Sequence, residues 1–397
     1  MPRNRVADPV FNAEQTVALH AQGAAEGAAL VVFPELGLSG YTCDDLFHQQ
    51  ALLRASEAAL LRVAEACRGH DTLAIVGLPL QVDQALFNCA AVVQRGKVLG
   101  IVPKTYLPNY GEFYEARQFN PAANARSSSV MLGGLAVPFG NDLLFEAAGQ
   151  PLLKLHLEIC EDLWVPIPPS SHAALAGASV LINLSASNIT IGKAAYRSAL
   201  VKQQSARCLA AYLYSSAGIG ESTTDLAWDG QSLIYECGDL LRESARFATD
   251  SHLITADVDL ERLSQERMRQ TSFGAQVARF QGEVARFRNV EFAWPAARAS
   301  GAHGALQRRV ERFPYVPAAA ARRDERCQEV YDIQVQGLAQ RIAATDIQKL
   351  VIGISGGLDS TQALLVCARA MDALGLPRSH ILGYTMPGYA TSSRTLE

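Results

Sequence analysis

A six-residue loop, Ser355–Ser360, restricts the local fold more than any other segment of the sequence. It reads Ser-Gly-Gly-Leu-Asp-Ser, follows the apolar run Leu350–Ile354 and leads into the helix-like stretch Thr361–Val366. Backbone N–H groups of such a turn and the positive end of the helix dipole point towards one place, and glycine lets the backbone approach an anion closely. The pattern therefore predicts a strand, a turn and a helix N-terminus that together bind phosphate.

The side chains of this loop indicate how it would hold its ligand. Hydroxyl groups on Ser355 and Ser360 can donate hydrogen bonds to an anion. The carboxylate of Asp359 would repel phosphate unless a cation lay between them, so we expect Mg²⁺ with Asp359 as a metal ligand. The residues predicted to bind nucleotide phosphates are Ser355, Gly356, Gly357, Leu358, Asp359 and Ser360.

Composition and charge restrict the class of protein. With 397 residues, of which 49% are hydrophobic and 19% charged, the chain should form two or three globular domains. A formal net charge of −4 argues against a general nucleic-acid or membrane-surface binder, and no apolar run approaches the length of a membrane span. The eight cysteines are scattered without a C-x-x-C pair, which is typical of reduced thiols in the cytoplasm.

The first 260 residues alternate between short apolar runs and helical patterns. Ala29–Phe33 and Leu73–Gly77 are strand-like, and Ala51–Ala66 between them carries apolar residues at helical spacing. Two apolar runs around the turn Arg95–Lys97 predict a β-hairpin. Hairpins mixed with crossovers indicate an α/β layered sandwich rather than a simple doubly wound sheet.

Three domain assignments follow from changes in composition along the chain. Residues 1–260 form the first α/β domain, and a second α/β unit covers 326–397. The intervening 261–325 is rich in arginine and has a Pro/Ala/Gly-rich middle, Pro295–Ala305. Because acidic residues are interspersed with the arginines, a solvated linker or an inter-subunit arm is favoured over an arm that binds nucleic acid.

Three reactive side chains follow predicted strands of the first domain: Glu35, Lys104 and Cys160. A cysteine nucleophile needs a base to take its proton and a positive charge to stabilise the oxyanion, and a glutamate and a lysine supply both. Taken singly, these residues are more often a turn acid, a solvated lysine and a small buried hydrophobe. Their joint occurrence at strand ends predicts one catalytic site.

The segments that carry these residues resemble known motifs. Phe33–Leu36, Pro103–Tyr110 and Glu158–Asp162 resemble the Glu-Lys-Cys motifs of the nitrilase superfamily. Followed by the loop Ser355–Ser360, they resemble the glutamine-dependent NAD synthetase family, in which a nitrilase-like glutaminase is fused to an ATP-pyrophosphatase-type synthetase. The resemblance implies a nitrilase-like α-β-β-α sandwich followed by the start of a Rossmann-like ATP-pyrophosphatase domain.

The resemblance also implies a role for each catalytic residue. Cys160 would attack the side-chain amide of L-glutamine, Glu35 would act as general base, and Lys104 would stabilise the oxyanion. Glu112 resembles the second glutamate of nitrilase sites, which orients the lysine and the cysteine, although a solvated loop acid is an equally good interpretation. His156 lies two residues before Glu158 on a predicted strand and so faces the same side as Glu158 and Cys160. A structural, hydrogen-bonding role is favoured for it over that of a base.

Glutamine recognition is expected from Tyr110, Ser187 and Lys193. A relative can carry arginine at the position of Lys193, and lysine lacks the bidentate fork of arginine, so its grip on the α-carboxylate should be looser. The stretch Gly220–Gly230 resembles the family too and is assigned only a position near the glutaminase site.

In the second domain the resemblance implies ATP and Mg²⁺ at the glycine loop, where nicotinic acid adenine dinucleotide would be adenylated and ammonia would displace AMP. It also implies a homo-oligomer. The later segment Thr385–Tyr389 resembles the next strand-end loop of the family. Because the sequence ends at Glu397, we expect most of the synthetase to be missing and favour a fragment over a natural short form.

Two other interpretations stay open at this point. One is a stand-alone nitrilase-type amidohydrolase in which the ATP loop is vestigial. The other is an inactive fragment or a scaffold. Neither nucleic acid nor membrane is expected as a partner of the chain.

Overall fold

A four-stranded sheet forms one layer of the first of two units, Met1–Arg309 and Val310–Glu397. The computed structural model describes residues 1–294, 306–310, 312–313, 315–316 and 320–385. The strands of this sheet are β1 (Leu30–Val32), β2 (Leu73–Val82), β3 (Ala85–Gln94) and β4 (Lys97–Pro103). β1 is parallel to β2, whereas β2, β3 and β4 form an antiparallel meander. Both two-residue turns of the meander have positive φ, the geometry that suits the twist of tight hairpins.

A seven-stranded mixed sheet forms the other layer, and a small hairpin of β5 (Ser129–Leu132) and β6 (Leu135–Pro138) precedes it. Its strands are β7 (Leu143–Ala147), β8 (Lys154–Ile159), β9 (Val180–Ser185), β10 (Ala211–Ser216), β11 (Ser232–Glu236), β12 (Asp239–Glu243) and β13 (Arg288–Phe292). The order is β12-β11-β10-β9-β8-β7-β13. The central strands β8, β9 and β10 are parallel, so each connection between them crosses over through a helix.

Helices cover the outer face of each sheet. They are α1 (Pro9–Ala25) and α2 (Gln50–Ala66) on the first sheet, and α3 (Pro169–Leu175) and α4 (Lys193–Cys208) on the second. Asp8 caps α1 by accepting a hydrogen bond from the N–H of Phe11, and Pro9 occupies the first turn.

Between the two sheets lies a separate apolar layer. Ile75 and Val92 of the first sheet pack in one cluster with Leu157 and Ile182 of the second. Burial of these strands on both faces explains why they read as continuous apolar runs. The predicted α-β-β-α sandwich is confirmed.

The segment 261–294 differs from the linker or arm predicted for 261–325. It forms α5 (Leu260–Arg269), α6 (Thr271–Arg279), α7 (Gln281–Val284) and β13. β13 pairs in parallel with β7, and Leu263 and Phe292 are buried in the layer between the sheets. A few apolar residues spaced among exposed arginines are enough for this attachment, so the arginine-rich composition gave no indication of it. Residues 306–309 also belong to the first unit, where Arg308 pairs with the buried Glu236.

The second unit contains the predicted strand, turn and helix. Its elements are α8 (Ala320–Thr345), β14 (Leu350–Gly353), α9 (Leu358–Ala373) and β15 (Ile381–Tyr384). β14 and β15 are parallel, and the helices pack together through Val335, Ile342, Val366, Ala370 and Met371. The loop predicted over 385–389 lies outside the described residues beyond Thr385. None of the helices in the described ranges combines the length and apolar character needed to cross a membrane.

Candidate active site

Glu35 is carried by a bend that directly follows β1. The bend packs against Gly77 of β2 so closely that a Cβ at Gly77 would lie 2.3 Å from the backbone nitrogen of Leu36 and 2.8 Å from the carbonyl oxygen of Pro34. Only glycine allows this approach. The Glu35 side chain is thereby held in the interior and is 1% exposed.

Three donors hold the Glu35 carboxylate. Lys104 Nζ donates to Oε1 at 2.7 Å, and Asn88 Nδ2 donates to the same oxygen at 2.6 Å. The backbone N–H of Ala186, which follows β9, donates to Oε2 at 2.7 Å. The carboxylate therefore joins side chains of the first sheet to the backbone of the second.

Lys104 follows β4 and lies between two carboxylates in the core. Its side chain is fully buried, and Nζ donates to both carboxylate oxygens of Glu115 at 2.8 Å as well as to Glu35. Tyr41 OH donates to Glu115 Oε1 at 2.7 Å. Burial alone would lower the pKa of Lys104, but Glu115 and Glu35 raise it well above its ordinary value. The ammonium form is thus maintained without solvent.

Cys160 stands directly after β8, at the start of a 3₁₀ turn, Cys160–Leu163. Its φ of 45° lies in the left-handed region, which is uncommon for a residue other than glycine. Asp162 stabilises the turn because its carboxylate accepts the N–H groups of Ile159 at 2.9 Å and Tyr106 at 2.8 Å. The same side chain thereby joins the cysteine turn to the segment that carries Lys104.

The charges around Cys160 act on its thiol in opposite directions. Burial and then the carboxylate of Glu35 raise the pKa of the thiol, while the Lys104 ammonium lowers it. Burial has the largest effect, so the sulfur carries its proton in the resting site. A base that takes this proton is therefore required for nucleophilic attack.

An open pocket of about 1080 Å³, including its mouth, leads to Cys160. The structure brings Tyr110, Ser187 and Lys193, the residues expected to recognise glutamine, together in its wall. Tyr110 OH donates to the Glu161 carboxylate at 2.9 Å. Lys193 opens α4, is partly buried, and has its pKa lowered by that burial. A ligand with both acidic and basic groups would find charged partners here.

Comparison with known proteins now assigns the family. Residues 4–268 match the carbon-nitrogen hydrolase family, and residues 330–397 match the NAD synthase family. The chain belongs to the carbon-nitrogen hydrolase family. The glutamine-dependent NAD(+) synthetase of Mycobacterium leprae (strain TN) is 50% identical over 391 residues, which are 98% of this chain and 57% of that protein. The resemblance to glutamine-dependent NAD synthetases is confirmed, and the chain spans little more than half the length of this relative.

Solved structures agree on the fold. A glutamine-dependent NAD(+) synthetase from Cytophaga hutchinsonii matches with a TM-score of 0.58 at 20% identity, over 100% of this chain and 60% of that one. A carbon-nitrogen hydrolase from Helicobacter pylori G27 matches with a TM-score of 0.55 at 18% identity, over 72% of this chain and 98% of that one. These structures support the nitrilase-like fold.

The contact predicted for Glu112 in this carbon-nitrogen hydrolase is made by Glu115 instead. Glu115 reaches Lys104 because a 3₁₀ turn, Glu115–Arg117, folds the segment after β4 back onto the core, with the Glu115 N–H donating to the carbonyl of Pro108 at 3.1 Å. Glu112 is exposed at the pocket, and its Oε1 accepts a hydrogen bond from Asn188 Nδ2. Spacing along an irregular loop could not distinguish the two glutamates.

Other residues that position the site were missed by sequence reasoning. Glu221, in the loop that was assigned only proximity, accepts hydrogen bonds from the Tyr41 N–H at 2.9 Å and from Thr42 Oγ1 at 2.7 Å. It thereby fixes the tyrosine that holds Glu115. The buried Arg197 of α4 donates to Asp229 at 3.0 Å. Pairing between such distant positions leaves no local pattern in a single sequence.

His156 has the structural role that was favoured for it. It is fully buried in β8, its Nδ1 lies 3.2 Å from the carbonyl oxygen of Leu143, and its ring packs against Phe287. Burial lowers its pKa to about 4, so it is neutral at pH 7. It makes no described contact with Cys160.

The glycine loop of the NAD synthase segment is closed by its own hydroxyl groups. Ser360 Oγ accepts from the Ser355 N–H at 3.2 Å, and Thr361 Oγ1 donates to the Gly357 carbonyl at 2.9 Å. Gly356 has a φ of 77°. Most of the loop is exposed, including Asp359 in the first turn of α9. Within the described residues, no group of three or more His, Cys, Asp or Glu side chains is arranged to hold a metal.

Proposed function

We propose that the first unit hydrolyses the side-chain amide of L-glutamine and that the ammonia serves ATP-dependent amidation of nicotinic acid adenine dinucleotide to NAD. The observation that carries this proposal is the buried Lys104 ammonium, bonded to Glu35 and Glu115 beside a pocket that ends at Cys160. The mycobacterial relatives named glutamine-dependent NAD(+) synthetases support the choice of substrate.

The first step forms a thioester. Cys160 Sγ attacks the carbonyl carbon of the amide while Glu35 takes the thiol proton, because the thiol is protonated in the resting site. The Lys104 ammonium stabilises the negative charge on the carbonyl oxygen of the tetrahedral intermediate. Glu35 then returns the proton to the leaving nitrogen, the C–N bond breaks, and ammonia departs.

The second step regenerates the thiol. Water attacks the thioester carbon while Glu35 takes one of its protons, and the C–S bond breaks to release glutamate. The proton on Glu35 returns to the sulfur. Glu115 keeps Lys104 in place in both steps, the role first expected of Glu112, and Tyr41 holds Glu115.

The substrate would be held by the pocket residues. Lys193 would pair with the α-carboxylate of glutamine, and Tyr110 and Ser187 would line its amino-acid end. The Glu161 carboxylate beside Tyr110 supplies a partner for the α-ammonium group. The arrangement favours an amide that carries both charges over a simple aliphatic amide.

In the second unit we propose that Ser355, Gly356, Gly357, Leu358, Asp359 and Ser360 bind the phosphates of ATP. The exposed loop, the positive φ of Gly356 and the hydroxyls around it suit a phosphate group. Asp359 would be a protein ligand of Mg²⁺, with phosphate and water oxygens completing the shell. The cytoplasmic location, the homo-oligomer and the site for nicotinic acid adenine dinucleotide stay predictions.

Ammonia release by the purified chain tests the proposed substrate. We expect hydrolysis of L-glutamine to exceed that of a panel of aliphatic and carbamoyl amides, and Cys160→Ala to reduce it by a factor of about a thousand or more. Cys208→Ala, a buried cysteine outside the site, is the matched control. A preference for another amide would overturn the substrate, and survival of activity in Cys160→Ala would overturn the nucleophile.

A further inference from the structure

A relay of hydrogen bonds connects Glu112 with Lys193 across the mouth of the Cys160 pocket. Asn188 Nδ2 donates to Glu112 Oε1 at 2.7 Å, and Lys193 Nζ donates to Asn188 Oδ1. Glu112 lies on the loop after β4, whereas Asn188 lies on the loop after β9. The relay therefore joins two loops that flank the pocket, and both of its ends line that pocket.

Asn188 is a rigid centre for this relay. Its side chain is 2% exposed, and its backbone carbonyl accepts a hydrogen bond from Arg197 Nη2 at 3.1 Å. Arg197 is itself fully buried and paired with Asp229. The next residue, Ile189, donates its N–H to the carbonyl of Ala227 at 2.8 Å. The backbone at Asn188 is thus fixed from two sides.

The partners of Asn188 also determine which way its amide points. A carboxylate only accepts hydrogen bonds, and an ammonium group only donates them. The amide nitrogen must therefore face Glu112, and the amide oxygen must face Lys193. Reversing the amide would place donor against donor and acceptor against acceptor.

A fixed partner restricts the position of the Lys193 ammonium group, which carries a compact charge on a flexible stem. An arginine could bind a carboxylate with two parallel hydrogen bonds from its planar guanidinium group, whereas a lysine ammonium must be held in place by its surroundings. Here Nζ lies 5.4 Å from the ring centroid of Phe113 and 5.6 Å from that of Trp164, and Asn188 supplies a directional acceptor. These three contacts define one position for the ammonium group.

A neutral amide between Glu112 and Lys193 has an electrostatic consequence. A direct ion pair would largely neutralise the lysine and compete with a ligand carboxylate. The relay instead uses Glu112 to orient Asn188 and leaves the lysine charge available to the pocket.

We propose that Asn188, oriented by Glu112, is a positioning residue that sets the Lys193 ammonium to bind the α-carboxylate of the amide substrate. It acts through Lys193 and touches no reacting atom. The relay thus makes the site selective for amides that carry an α-carboxylate. This inference rests on the proposed hydrolysis of glutamine.

Covalent labelling of Cys160 separates this role from a structural one. The rate of labelling is measured with a diazoketone analogue of L-glutamine, which has the α-carboxylate, and with iodoacetamide, which lacks it. We expect Asn188→Ala to slow labelling by the glutamine analogue about tenfold, because one charge-assisted hydrogen bond is lost. Labelling by iodoacetamide should stay within about twofold of the wild-type rate. Asn124→Ala, at an exposed asparagine in the 3₁₀ turn Ala122–Asn124 and outside the pocket, is the control.

A double-mutant cycle tests the relay itself. Because Glu112 acts through Asn188, adding Glu112→Ala to Asn188→Ala should slow labelling by the glutamine analogue no further. Unchanged labelling in Asn188→Ala would overturn the proposal, and so would equal slowing with both reagents or additive effects in the cycle. Failure of the proposed function is recognised separately, because the wild-type chain would then neither hydrolyse glutamine nor react with its analogue.

Discussion

The Lys104 centre and the glycine loop are both predicted sites, each recognised from short motifs, yet they are built in different ways. The groups around Lys104 come from β3 and from segments after β1, β4, β8 and β9, and Lys104 and Glu35 are almost wholly removed from solvent. The loop Ser355–Ser360 is one continuous segment, largely exposed and closed by its own hydroxyls. A contiguous site can be predicted from its motif, whereas a site assembled from distant segments is predicted only in part.

The Lys104 centre and the glycine loop should also differ in how much they contribute to the stability of the fold. A buried ion pair that loses one partner leaves a charge without compensation, but an exposed polar residue is solvated whether or not its neighbour is present. Substitutions at the Lys104 centre should therefore affect stability as well as chemistry. Substitutions in the glycine loop should affect stability less.

Lys104→Met should have the largest effect. It leaves the buried carboxylates of Glu35 and Glu115 without their cation, and we expect the free energy of unfolding to fall by about 3–5 kcal/mol, with loss of hydrolysis. Ser360→Ala in the loop should change the free energy of unfolding by less than about 0.5 kcal/mol. Denaturant unfolding of both variants measures this contrast, and equal effects would contradict it.

Glu115→Gln and Glu112→Gln distinguish the two glutamates that the sequence could not. Because Glu115 holds Lys104, we expect its substitution to lower kcat by about a hundredfold. Glu112→Gln keeps a side-chain acceptor for Asn188 and should lower kcat less than tenfold, any loss lying mainly in KM. Steady-state glutamine hydrolysis measures both variants. The reverse order of effects would restore the original assignment of Glu112.

The sequence predicted the strand-end residues that the proposed chemistry requires, and it gave no indication of the residues that hold them in place. Glu35, Lys104 and Cys160 could be recognised because each directly follows an apolar run. Glu115 could not, since an irregular turn brings it back to Lys104. The pairing of Arg197 with Asp229 likewise depends on the packing of α4 against a distant loop.

The same limit applied to the fold. A layered α/β sandwich was predicted from the mixture of hairpins and crossovers, and its α-β-β-α form from the family resemblance. The attachment of 261–294 was not predicted, because a strand whose neighbours are arginines pairs with β7 through backbone hydrogen bonds that any sequence can make. Composition indicates which side chains a segment exposes to solvent, but it does not indicate which strand the segment pairs with.

His156 gives a pH dependence of stability that is independent of catalysis. Its folded-state pKa of about 4 lies below the unfolded value of 6.5, so its contribution is present above pH 6.5 and is lost as the pH falls towards 4. Each pH unit in that window should remove up to about 1.4 kcal/mol. His156→Gln should flatten this dependence, and the exposed His48→Gln should not, as measured by unfolding between pH 4 and 7.

The smallest effect is expected within the loop itself. Gly356 has a φ of 77°, so Gly356→Ala should destabilise the second unit by about 1 kcal/mol. Gly357 has a φ of −89°, which alanine adopts readily, and Gly357→Ala should cost less. Thermal unfolding of the whole chain compares the two, with glutamine hydrolysis unchanged in both. A larger loss for Gly357→Ala would contradict the loop geometry.

The central claim is that a buried Glu-Lys-Glu centre serves one nucleophile, Cys160, for attack on glutamine. Intact-protein mass spectrometry after treatment with the diazoketone analogue of glutamine tests it most directly. We expect one adduct per chain, located on Cys160 by peptide mapping and absent from Cys160→Ala, although the chain has eight cysteines. An adduct on another residue, or one that persists in Cys160→Ala, would contradict the claim.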